Sequence, residues 1–461
     1  MFAFFAFLTG HEIEVPPRWR DMKKESLALL RSRISAFHTK PIYLLLIAAT
    51  LHIVLALAVL GVGKLQLFPA GLSPNGLSDA LGRDSALYFE PQVEMLADLL
   101  HHGEVSAWFH RPADLHVKLY SLSFALFSRW ATFNVLTVEP LNLLYYLSIL
   151  ILIFQLACLA FDSRAGLVAT VIVALWPSFL LHTTQLLRDP LLIVATLTLM
   201  LCAARWLTLT KSWRQSLPFV LLALISVATI WLVRGGMGYL VSLILVLTLL
   251  LLVARQLREK RLLLVNLSCV LLVLLTATFF PRAFPSSKSK LTQVNPDAPR
   301  LWQRIAATRR RAIETSVEAG SNIDADVQFN GPKDLVRYAP RAIIIGLFAP
   351  FPNMWFAVGQ YVGRLGKLLA DFETLLIYFM ELLCVVGVWQ RRHLFASWLL
   401  FFTAVMGCGA VAMVMVNVGS IYRLRYSFLM LVVVLGSGAL VRLVSKVSKT
   451  EKAQINAAAG M

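Results

Sequence analysis

The sequence predicts an all-α polytopic membrane protein, and three observations lead there. Of its 461 residues, 58% are hydrophobic and only 15% charged, with a mean hydropathy of +0.72. A soluble domain this apolar could not cover its surface with polar side chains. Apolar runs also recur along the chain, and a helix of roughly 20 such residues crosses about 30 Å of hydrocarbon. Finally, these runs do not alternate apolar with polar, which argues against a transmembrane barrel.

The formal net charge of +18 points to anionic headgroups and to a positive-inside bias. No basic face is interleaved with exposed aromatics, so nucleic acid is not an expected partner. The five cysteines, Cys158, Cys202, Cys269, Cys384 and Cys408, all fall in apolar runs. They read as small core hydrophobes, not as a disulfide framework or a metal site. The opening Met1 to Leu8 is too short to span and lacks a basic flank, so no cleavable signal is expected.

Residues 1–40 carry Arg18, Arg20, Lys23, Lys24, Arg31, Arg33 and Lys40, which places the N-terminus in the cytoplasm. A first span is expected over 42–62. A Gly/Pro/Ser/Asn-rich turn then leads into Gly82-Arg83-Asp84-Ser85-Ala86-Leu87-Tyr88-Phe89 on the external side. Phe89, Val93, Leu96 and Leu100 recur at helical spacing, with Glu90, Glu94 and Asp98 on another face. That pattern suits a helix lying in the interface. A second short apolar piece, 117–130, holds Lys118 and Arg129.

Further spans are expected over 141–160, 166–182, 190–207, 217–233, 237–254 and 262–280. The basic connector 255–261 fixes their direction. Counting back from it, an even number of crossings lies within 63–140, and two juxtamembrane helices with no crossing satisfy that. Residues 281–371 form a second large external segment, with a helix near 300–318. The run 342–356 is broken by Pro350 and Pro352 and reads as an interfacial or re-entrant hairpin, with a true span as the alternative. Spans over 373–390, 394–416 and 425–444 complete about ten, with both termini inside. The chain thus divides into a basic N-terminus (1–40), a transmembrane module (41–280, including the external loop 63–140), a large external loop (281–371), C-terminal spans (372–445) and a tail (446–461).

Charges near spans are costly and call for a reason. Asp84 has Tyr88 four residues on, one helical turn away. It suits a helix N-cap equally well. Asp189 lies in His182-Thr183-Thr184-Gln185-Leu186-Leu187-Arg188-Asp189-Pro190, on the same side, and is likewise a good N-cap before a proline. Two carboxylates at one membrane face could support general-base chemistry. Arg188, Arg234, Arg423 and Arg425 also map to external span ends, where guanidinium forks suit phosphate oxygens; a lone interfacial arginine can simply snorkel. Arg309-Arg310-Arg311 reads as a solvated face or a headgroup contact. His52 and Glu381, inside apolar runs, are expected to be paired or to face a cavity. His101, His102, His110 and His116 lack the spacing of a metal site. Neither a Walker loop nor a GxGxxG or GxSxG motif is present.

The order of these parts resembles the GT-C superfamily of polyprenyl-phosphate-sugar-dependent glycosyltransferases. It is most similar to the bacterial relatives of protein O-mannosyltransferases and lipid A aminoarabinose transferase. The residues that carry the resemblance are Arg83-Asp84-Ser85-Ala86-Leu87-Tyr88, Leu187-Arg188-Asp189-Pro190-Leu191 and Tyr422-Arg423-Leu424-Arg425-Tyr426, over an arrangement covering 42–280. The resemblance implies a GT-C-like bundle with two external juxtamembrane helices and a large external loop over the site. It implies that Asp84 is the base or orients the acceptor, and that Asp189 supports the site or a divalent cation, Mg or Mn. It places Arg423 and Arg425 near the donor phosphate; Arg188 and Arg234, at the same face, are expected to join them there, with Tyr88, Gln185 and His182 in acceptor or supporting roles. Ser85 stands where many relatives carry a second acid, which argues against a first-loop metal pair.

The implied reaction moves a sugar from a polyprenyl-phosphate-linked lipid donor to a glycan, lipid or protein acceptor, at the periplasmic face of a bacterial inner membrane. A polysaccharide polymerase or ligase is the competing enzyme reading and would lean on arginines of 281–371. A flippase or transporter, the third, would place functional charges at mid-membrane and show repeat symmetry.

Overall fold

The computed structural model describes residues 24–69, 71–78, 89–128, 132–209, 212–283, 301–316, 321–355 and 363–459. The chain divides into residues 1–47 and 48–461. Residues 1–47 contribute the start of helix α1, Lys24–Lys64. The candidate site lies in the second unit.

Among the described residues, nine helices are long and apolar enough to cross a membrane, ten if one bent pair counts as a single span. Six of these follow the expected order: the C-terminal part of α1, Pro41–Lys64; α5, Val135–Ala160; α8, Asp189–Thr208; α9, Trp213–Val233; α10, Gly235–Glu259; and the Leu264–Pro281 part of α11, Leu264–Ala283. The other three come from α14, Gly363–Gln390; α15, Phe395–Val414; and α17, Tyr426–Ala459. The protein is a multi-pass all-helical membrane protein. Among the described residues the only β-type pairing is an isolated bridge between Asn322 and Asn417.

The expected continuous span over 166–182 is corrected to a bent pair, α6, Ser163–Ala174, and α7, Pro177–Thr183, which meet at 69°. Pro177 is the reason. Its ring disfavours a helical residue before it, and Trp176 is accordingly extended at φ −73°, ψ 105°. Glu373 from α14 seals the break, accepting from the Ser178 amide at 2.7 Å and from Trp176 Nε1 at 3.3 Å.

The span α5 starts six residues before the expected 141. Asn134 caps it, its Oδ1 accepting from the Leu136 amide at 2.8 Å, so the polar Thr137 and Glu139 are already helical. Between α1 and α5 lie α2, Glu90–His101; α3, Val105–His110; and α4, Leu115–Phe127. None is a candidate span. The apolar face of α2 does not rest on lipid as its pattern suggested. Val93, Leu96 and Ala97 are buried in a core with Val59 and Leu60 of α1, Val117, Tyr120 and Phe124 of α4, and Val135 and Val138 of α5. A protein core removes the same apolar area from water as an interface would.

The helix expected near 300–318 is α12, Leu301–Thr315. The run 342–356 is not a hairpin by itself. Residues 342–348 complete α13, Pro332–Phe348, and a 3-10 turn follows at Pro352–Met354. The short helix α16, Val418–Leu424, leads into α17. Basic connectors gather at one end of the bundle: Arg391 donates to the Phe161 carbonyl at 3.2 Å, and Arg258 reaches the His393 carbonyl at 3.5 Å. The four free cysteines besides Cys158 are buried.

Candidate functional site

At the other end of the bundle three helix termini converge on Asp189. It is the first residue of α8 and is buried. Arg423 of α16 pairs with it, Nε to Oδ2 at 2.9 Å. Arg234, in the one-residue break between α9 and α10, stands 3.9 Å from Oδ1 through Nη1. Arg188 precedes it in the chain and adds a third positive charge nearby. Among the described residues, three guanidinium groups gather near this one carboxylate at a helix N-terminus. That combination favours an anion, and phosphate above all.

A polar layer continues from this cluster. His182 lies half-buried on α7, its Nδ1 2.6 Å from the Ser178 carbonyl and 3.3 Å from Tyr426 Oη. A bond to a carbonyl requires Nδ1–H, which leaves Nε2 with the lone pair. Tyr426 Oη donates to Ser178 Oγ at 2.8 Å, and Tyr422 Oη donates to Glu373 Oε2 at 2.7 Å. Glu373 thus joins α14 to α7 and α16. Sequence reasoning passed over it; a carboxylate at the start of an apolar run was its only signal.

Behind the cluster, Gln185 is occupied by backbone. Its Oε1 accepts from the Ser78 amide at 2.8 Å, its Nε2 donates to the Gly76 carbonyl at 3.4 Å, and its own carbonyl accepts from Asn142 Nδ2 at 3.2 Å. Tyr120 Oη completes this layer, bonding Asn142 Oδ1 at 2.6 Å and the Leu187 carbonyl at 3.2 Å. Gln185 therefore supports the loop that runs toward residue 79. Asp84 and Tyr88 lie outside the described residues.

One level deeper, His52 of α1 joins Glu139 of α5, Nδ1 to Oε1 at 2.6 Å, and Thr183 of α7, Nε2 to Oγ1 at 2.9 Å. Its ring stacks on Tyr146 at 4.5 Å between centroids. Glu139, 87 residues from His52 along the chain, was not singled out from sequence.

Two arginines depart from expectation. Arg425 is fully buried, and it does not join Asp189. Its Nη1 donates to the carbonyls of Gly346 at 3.0 Å and Leu347 at 2.8 Å, the open C-terminal carbonyls of α13. Arg309 is not part of a solvated face, although Arg310 and Arg311 are exposed. It is buried, donating to the carbonyls of Asp324 at 2.6 Å, Val327 at 3.0 Å and Met413 at 3.1 Å, with its guanidinium over the rings of Phe329 and Tyr338.

The donor set around Asp189 does not fit a divalent cation, because both carboxylate oxygens face guanidinium groups. Among the described residues no group of three His, Cys, Asp or Glu side chains could hold a metal ion.

No protein-family model and no curated protein matches the chain. Its structure is similar to the crystal structure of ArnT from Cupriavidus metallidurans bound to undecaprenyl phosphate, at 13% sequence identity and a TM-score of 0.47. The match covers 85% of this chain and 60% of that one, so this chain spans about three fifths of that protein's length.

Proposed function

We propose that this protein is a GT-C-type glycosyltransferase of a bacterial inner membrane, with its site facing the periplasm. It takes a sugar from a polyprenyl-phosphate-linked donor and passes it to a glycan, lipid or protein acceptor. The observation that carries this reading is the set of Arg188, Arg234 and Arg423 around buried Asp189 at one membrane face.

The chemistry asked of the residues is simple. An acceptor hydroxyl or amine attacks the anomeric carbon, and the bond from that carbon to the phosphate oxygen breaks. The configuration inverts, and the phosphate leaves with the electron pair. Arg234 and Arg423 are the cations to neutralise charge growing on the leaving phosphate. Asp189 holds them in place as their shared counter-charge, 2.9 Å from Arg423 and 3.9 Å from Arg234. The acceptor proton goes to the Asp84 carboxylate, with His182 Nε2 as a second lone pair close to the cluster.

A polymerase or ligase reading would need the arginines of the external segment for chemistry. Arg309, the buried one among the described residues there, is taken up by backbone carbonyls. The test uses purified protein in lipid nanodiscs with a polyprenyl-phosphate sugar and an envelope acceptor. Asp84→Asn should abolish release of free polyprenyl phosphate while the protein keeps its unfolding midpoint. Turnover close to wild type in that variant refutes the assignment.

A further inference from the structure

Helix α13 descends along α15 in the opposite direction. Ile343 meets Gly409, and Gly346 packs so closely on Cys408 that an added Cβ would lie 2.2 Å from its carbonyl oxygen. Gly346 is therefore level with a residue six positions, about 1.7 turns, short of the end of α15 at Val414, about 9 Å inside it at the helical rise. The first turns of α13 stand beyond the end of α15, and its last turns lie inside the bundle's apolar thickness.

The opposite face of α13 is exposed. Lys333, Val336, Arg337, Arg341, Ile344 and Phe348 follow helical spacing along it. Val336 is 75% exposed, Ile344 45% and Phe348 38%. The cations occupy the outer end and the larger apolar side chains the inner end. Pro332, Lys333, Val336 and Arg337 line a shallow open hollow there. At the inner end the face continues into the lipid-facing side of α14. Tyr378 Oη donates to the carbonyls of Phe348 and, at 3.1 Å, of Pro350, and α14 exposes Phe372, Leu375 and Phe379.

We propose that this face of α13 binds anionic phospholipid: the headgroup phosphate at Lys333 and Arg337, the acyl chains along Ile344, Phe348 and the exposed side of α14. The order of the side chains matches a leaflet crossed from headgroup to hydrocarbon, and two cations one turn apart complement an anionic headgroup. The contact anchors the external segment to the leaflet it enters. It stands independently of the transferase reading.

The experiment takes the full-length protein from nanodiscs of phosphatidylcholine with a minor fraction of phosphatidylglycerol and counts retained lipids by native mass spectrometry. Wild type should retain phosphatidylglycerol over phosphatidylcholine. Lys333→Gln with Arg337→Gln should lower that retention at least about tenfold, with an unchanged unfolding midpoint, since both side chains are exposed. Arg310→Gln with Arg311→Gln, on exposed positions of α12, should leave it unchanged. Equal retention in the first variant overturns the proposal. So does equal loss in the second, which would reduce the effect to net charge, and so does displacement of the lipid by inorganic phosphate, which would mark a soluble-anion site.

Discussion

Arg423 Nε lies 2.9 Å from Asp189 Oδ2, joining two helix termini that are far apart in the chain. The carboxylate is buried, and a second guanidinium, Arg234, stands beside it. Removing its charge breaks the buried pairing with both guanidinium groups. Asp189→Asn should therefore lower thermal stability by about 3 kcal/mol, the cost of breaking a buried ion pair. An added polyprenyl phosphate should recover part of that loss, because a bound anion replaces the missing charge. A thermal melt with and without the lipid phosphate checks both statements.

The His52–Glu139–Thr183 connection ties α1 to α5 and to the bent pair. His52→Ala removes two buried hydrogen bonds and the stacked contact with Tyr146, and should cost about 2–4 kcal/mol. Glu139→Gln keeps a partner for Nδ1 and should cost markedly less than Glu139→Ala. Denaturation of the three variants in one detergent gives the ranking.

Arg309→Ala should loosen the external segment, because the carbonyls of Asp324, Val327 and Met413 lose their donor. The expected loss is about 2–3 kcal/mol, seen as faster proteolysis within 301–330. Arg309→Lys should not restore it, since a lysine cannot reproduce the guanidinium fork. Arg310→Gln and Arg311→Gln should behave like wild type.

Asp324 gives the external segment a pH dependence. Burial alone would raise its carboxyl, but hydrogen bonds from Arg341 and Tyr338 outweigh that and hold it below the ordinary carboxylate range. Its contribution is fully present above the unfolded value of about 3.9 and is lost as pH falls through the lower folded value. Arg341 is half exposed, so the contribution is limited to about 1 kcal/mol. Melts between pH 5 and pH 2 should hold level down to about pH 4 and decline below it, and Asp324→Asn should flatten that decline.

The spans were legible because apolar length is a local property, and the structure follows that order from Pro41 to Lys446. The bend at Pro177 was legible in principle, since one proline within 166–182 carried the signal. Side-chain direction was not. Arg423 stands on the last turn of α16 and Arg425 just past its end, two residues apart, yet one meets Asp189 and the other the end of α13. Arg309 looked like its two neighbours in a run of three arginines, and only tertiary packing separates them. The pairing of His52 with Glu139 depends on two helices meeting, which no local pattern encodes. Sequence put Asp189, Arg188, Arg234, Arg423 and Arg425 on one side of the membrane, and the distances then sorted them.

The central claim is that Arg234 and Arg423 form the phosphate site. Its most direct measurement is the affinity of purified protein in nanodiscs for polyprenyl phosphate without a sugar. Arg423→Gln and Arg234→Gln should each weaken binding by about tenfold or more, while Lys333→Gln should leave it unchanged. Equal affinity in wild type and both arginine variants would contradict it.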